Sequence, residues 1–198
     1  MKPISMKVDK TGGWARMKKL MDASPARMQA AIKKALDQEG LYLAGQVKKQ
    51  IRTGPFEKLA KTTLAMRRAQ GFRGTKPLIR TGDMRNSVTH VVKGGKLFIG
   101  IPRSAKSRDG KKLFNIADIQ ENGRTFAMRV TPKMLKFWFA VLFKNEKKKP
   151  AGTTMAPGKK IIIIRIPARP FIAPVFAREA KLAPERFLSR LAKNLGFK

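Results

Sequence analysis

"IIIIRIPARPFIAPVF", residues 161–176, decides the fold: five isoleucines in six positions run into a Pro-Ala-Arg-Pro-Phe corner and then a second apolar segment. An apolar run that does not alternate reads as a strand buried on both faces, so it is expected at the centre of a sheet. Pro167 and Pro170 fix the backbone of the corner, and Pro174 suits the first turn of a helix after it. The order is therefore strand, rigid corner, helix.

Working outward, Pro184 is expected to kink or split the C-terminal helical region, whose apolar positions are Val175, Phe176, Phe187, Leu188, Leu191 and Leu195. On the other side of the strand, residues 144–160 form a Lys-, Gly- and Pro-rich exposed loop. Before it, Thr131-Pro132 opens a helix over "KMLKFWFAVLF". Its ten-residue greasy block, residues 134–143, is far short of the roughly 20 residues that span a bilayer and reads as core or interface. "FNIADIQENG" is a short helix ending at Gly123, followed by a strand over "TFAMRV". Val88, His90 and Val92, then Leu97, Ile99 and Ile101, repeat with a period of two around Gly94-Gly95, which predicts a β-hairpin. Thr81-Gly82-Asp83 is a structural turn into one helical turn, and Thr62 or Thr63 caps a short helix that stops at Gly71. From Ser24-Pro25 to about Arg52, Met28, Ile32, Leu36, Leu43, Val47 and Ile51 recur at helical spacing, and Gly40 on that face permits a close crossing. Residues 1–23 are expected as an N-terminal arm, with 24–198 a single domain.

The sum is an α+β fold: a long N-terminal helix and a C-terminal helical segment packed on a small, mostly antiparallel sheet, with two projecting basic loops.

Composition limits the function. Lys and Arg number 45 against 12 Asp and Glu, a net charge of +33, while the hydrophobic fraction of 42% is that of a folded protein. Such an excess repels itself and favours a polyanionic neighbour, whether nucleic acid, anionic membrane or acidic protein. Without cysteine, and with His90 the one histidine, thiol chemistry and zinc sites drop out. His90 sits in an alternating strand and reads as structural. Asp118 and Glu121 share a helix face and read as solvated. No nucleophile elbow or phosphate-binding loop occurs, so the chain is expected to be no enzyme, with no catalytic residue, metal or cofactor. The basic loops supply the contact candidates: Arg103, Lys106, Arg108, Lys111 and Lys112 in one, Lys147, Lys148, Lys149, Lys159 and Lys160 in the other. They lack interleaved aromatics, which favours sequence-neutral backbone contact.

Three segments taken in order resemble a family: "TTLAMRRAQGFRGTKPLIRTGDMRNSV", "NIADIQENG" and "IPARPFIAP", spanning Thr62 to Pro174. They are similar to the virion morphogenesis, or tail-completion (neck), proteins of long-tailed bacteriophages. The helix at 133–143 and the lysine-rich loop lengthen the interval before the corner, and the charge exceeds the family's usual level. The resemblance implies a structural protein of the virion neck, assembled in the host cytoplasm. It would form a ring of six subunits at the head-proximal end of the tail, between the tail terminator and the head connector. Genomic double-stranded DNA in the channel is then a further partner, and membrane is not. In that setting Arg169, Pro170 and Phe171 become candidates for a subunit or neighbour interface. Phe171 anchors the helix to the sheet or to a neighbour, and Arg169 bonds a carboxylate. The corner has an equally good alternative role as a mere strand terminator. The alternative function is a free-standing, sequence-neutral nucleic-acid-binding protein of the ribosome- or nucleoid-associated kind.

Overall fold

The computed structural model describes residues 25–142 and 161–197. The arm at 1–23 and the loop at 144–160, with Lys147, Lys148, Lys149, Lys159 and Lys160, lie outside the described residues. Seven helices and four strands are found among those described, an α+β fold. In chain order they are α1 (Pro25–Thr53), α2 (Lys61–Ala69), α3 (Asp83–Asn86), β1 (Thr89–Lys93), β2 (Lys96–Gly100), α4 (Leu113–Asn122), β3 (Arg124–Arg129), α5 (Pro132–Leu142), β4 (Ile161–Ile166), α6 (Ala173–Glu179) and α7 (Ala183–Asn194).

The strands form two separate antiparallel pairs, β1 with β2 and β3 with β4. β4 is therefore not the central strand that its isoleucines predict. Its burial alternates strictly, with Ile161 and Ile163 exposed at 63% and 76%. The physical reason is the sheet's width: two strands with only one covered face bury every second residue, whatever the sequence. In register, Ile162 faces Met128 and Ile164 faces Phe126 on the half-buried side, while Ile161 meets Arg129 and Ile163 meets Ala127 on the outer one.

Residue contacts divide the chain into two compact units. The first holds α1 as far as Ala44, the hairpin from His90 to Ile99, and the chain from Ala177 onward. In it Ala31, Ala35, Leu43 and Ala44 form the buried line of α1, a smaller-residue stripe than the Met28, Ile32 and Leu36 spacing suggested. Gly40 is the close crossing: a Cβ there would stand 2.4 Å from His90 Cδ2 and 2.8 Å from Leu97 Cδ1. The hairpin turns at Gly94 and Gly95, with φ of 56° and 71°, the left-handed pair that a two-residue loop needs. The C-terminal region breaks between α6 and α7, with Pro184 in the first turn of α7. Of the apolar positions of that region, Phe176 and Leu188 are exposed at 39% and 61%.

The second unit runs from Gly45 to Thr89 and from Gly100 to Phe176. Val47, Ile51, Leu78, Met84, Val88, Ile101, Leu113, Ala117, Val130, Phe171 and Val175 are its buried apolar side chains. α2 packs on α5, and α3 on α4. α2 begins after Ala60 with no side-chain cap, because Thr62 and Thr63 already lie inside the helix. Thr131 does cap α5, its hydroxyl accepting the Met134 N–H at 3.2 Å.

Candidate functional site: an arginine-lined cavity beside the Arg-Pro-Phe corner

The corner is assembled by the end of α4. Gly123 closes that helix with φ 73°, and a Cβ there would meet the Ala168 nitrogen at 2.9 Å, so only glycine lets the corner's backbone approach. The Arg169 N–H donates to the Gln120 carbonyl at 2.6 Å. The Glu121 carboxylate then accepts the N–H groups of Phe171 (2.8 Å), Ile172 (3.1 Å) and Ala173 (2.8 Å). These are donors at the start of α6 that its own ladder leaves open. Glu121 is thus no solvated surface acid. Its position at the C-terminal end of α4, where the helix dipole disfavours an anion, was the one signal in the sequence that it has work elsewhere.

Arg169 and Phe171 are buried within this unit, at 6% and 0% exposure, and only Pro170 of the three faces solvent. Phe171 is a core anchor of this chain rather than a plug for a neighbour. Among the described residues Arg169 bonds no carboxylate: its Nε donates to the Glu57 carbonyl at 3.2 Å and its Nη1 to the Gln120 side-chain oxygen at 3.4 Å.

Arg67 is the second buried arginine. From α2 its Nη1 reaches the carbonyls of Gly74 (3.2 Å), Lys76 (2.7 Å) and Ile79 (3.4 Å), and its Nη2 that of Pro77 (2.7 Å). One side chain therefore organises the loop that leads to the Thr-Gly turn. Burial lowers the Arg67 pKa from its ordinary value, and the charges of Arg80 and Arg169 lower it further. Arg80 stacks over Phe72 and is paired with Asp109.

The turn behaves as its sequence predicts. Gly82 has φ 85° and ψ −7° and opens α3. The Asp83 carboxylate accepts the Arg108 N–H at 3.1 Å, and the Arg108 side chain lies 3.5 Å away. The Arg108 N–H first, with the Thr81 hydroxyl, holds the Asp83 carboxyl below the usual carboxylate range. The basic loop is consequently tied down: Lys106 bridges Lys112, and the Ser107 N–H donates to the Lys111 carbonyl at 2.8 Å. Arg103, Lys106, Arg108, Lys111 and Lys112 are all exposed, with Arg103 over the Phe114 ring.

Between these pieces lies a cavity of about 240 Å³. Arg67, Arg80 and Lys111 give it positive charge, Pro77, Leu78, Met84, Leu113 and Ile116 give it apolar wall, and Thr81, Gly82, Asp83, Ser107 and Gln120 complete it.

The first unit has its own ion cluster. The Glu39 carboxylate, 3% exposed, takes Arg186 at 2.8 Å and also bonds Arg190. Glu179 takes Arg186 at 3.0 Å and the Tyr42 hydroxyl at 3.2 Å. Burial by itself raises the Glu179 carboxyl, but bonds from Arg178 and Tyr42 outweigh it and leave the group below its ordinary value. Arg186 is pushed up, mainly by its bond to Glu39. His90 lies 3.7 Å from Asp37 in this unit.

Among the described residues no helix is long and apolar enough to cross a membrane. Comparison with protein families, with characterised proteins and with solved structures finds no match for this chain.

Proposed function

We propose that this chain is a non-enzymatic structural protein of a bacteriophage neck, a ring-forming tail-completion component that joins the tail to the head connector. One observation carries the reading. The three segments whose order resembles that family converge in one compact unit: the Thr81-Gly82-Asp83 turn and Gln120 line the same cavity, and Gln120 and Glu121 hold the Arg169-Pro170-Phe171 corner. The exposed cations of the 103–112 loop support a surface that faces DNA or an acidic neighbour. Six copies would gather about +200 in one annulus, which DNA in the channel would neutralise.

Deleting the gene from its parent phage genome and viewing the induced lysate by negative-stain electron microscopy tests this. DNA-filled heads beside unjoined or overlong tails are expected. Normally joined particles would overturn the reading and leave a free nucleic-acid-binding protein, for which tight, salt-sensitive duplex binding by the isolated monomer is the signature.

A further inference from the structure

Arg67 and Arg169 are both buried, and the acceptors described for them are neutral: five backbone carbonyls and one amide oxygen. Among the described residues no carboxylate lies within ion-pair distance of either. Two guanidinium groups taken out of water without a counter-charge are costly, since carbonyl dipoles satisfy their hydrogens without cancelling their charge. Arg67 also lines a cavity whose other cations are Arg80 and Lys111. Arg80 already has Asp109, and Asp83, the one acid in the lining, already has Arg108. The unit is short of negative charge where it has room for a ligand.

We propose that this cavity binds a carboxylate carried on a short aliphatic stem, the carboxylate meeting Arg67 and Lys111 and the stem lying on Leu78, Met84, Leu113 and Ile116. The apolar wall argues against a nucleic-acid phosphate, which arrives with a sugar on each side and nothing apolar to bury. It fits the end of a glutamate side chain on an acidic protein surface, or a free small carboxylate of the same shape.

Butyrate, glutarate, inorganic phosphate and chloride, at matched ionic strength, are the probes for the full chain. Thermal unfolding and the methyl NMR signals of Met84 and Ile116 are the readouts. A bound ligand at about ten times its dissociation constant raises the melting temperature by roughly 3–6 °C in a chain of this size. Butyrate and glutarate are expected to do so and to shift both methyl signals; phosphate is not. Lys111→Gln should remove most of the effect. Lys49→Gln, an equal loss of charge on an exposed residue outside the lining, should not. Adding a glutamate-rich peptide separates the two sources: displacement of butyrate by the peptide assigns the site to a protein side chain, and no displacement assigns it to the free small molecule. Equal stabilisation by phosphate, equal losses in the two lysine variants, or unmoved methyl signals would each overturn the proposal.

Discussion

A single carboxylate at the end of one helix starts the next. Glu121→Gln keeps one acceptor oxygen but loses the charge that three backbone N–H groups share, and should cost about 1–3 kcal/mol in denaturant unfolding. Asp118→Asn on the same helix, exposed and bonded to Asn122, should fall within about 0.5 kcal/mol of the parent. Arg67→Met strips four carbonyls of their donor and should be more damaging than either, about 3 kcal/mol or more. None of this ranking could be read from residue type. Arg67 and Arg68 are adjacent and chemically identical, yet one is buried and the other exposed, because the loop from Gly74 to Ile79 folds over one side of α2 only.

Helices and hairpins were the legible scale. The Gly94-Gly95 turn, the end of α4 at Gly123, the Thr131 cap and the break around Pro184 all follow from local backbone chemistry, and local backbone chemistry travels with the sequence. What failed was the burial of β4, which depends on how many strands and layers surround it. The isoleucine run carries no information about that. Two glycines of α1 separate the local from the tertiary contribution. Gly45 has open space where its side chain would go, so Gly45→Ala should gain about 0.5–1 kcal/mol from helix propensity alone. Gly40→Ala receives the same propensity gain but drives a methyl into His90 and Leu97, and should be destabilising by about 1–2 kcal/mol net. Thermal melts of the two variants side by side check the pair.

At the scale of the molecule, charge sets the response to solvent. A chain at +33 repels itself, so its melting temperature should rise between low salt and about 0.15 M, where the screening length falls to about 8 Å. Acid acts through particular groups. Asp83 and Glu179 both titrate lower in the folded chain than their unfolded references of about 3.9 and 4.3, so the folded state holds their protons less tightly. Their contribution is complete above the unfolded values and is lost as the pH falls through the lower folded ones. A stability profile flat from pH 7 to about 5 and dropping below about 4 is expected. In Asp83→Asn the drop should be shallower and the neutral-pH plateau lower.

The two outward isoleucines of β4 also matter to anyone who purifies this protein. Cation-exchange resin will capture it for the obvious reason. Ile161 and Ile163, bracketed by Arg129 and Arg165 on an open two-stranded sheet, will also hold it on a phenyl column at high ammonium sulfate and light up an anionic naphthalene dye while the fold is intact. Late elution from both kinds of matrix is therefore compatible with an intact fold, and dye fluorescence by itself is no sign of damage.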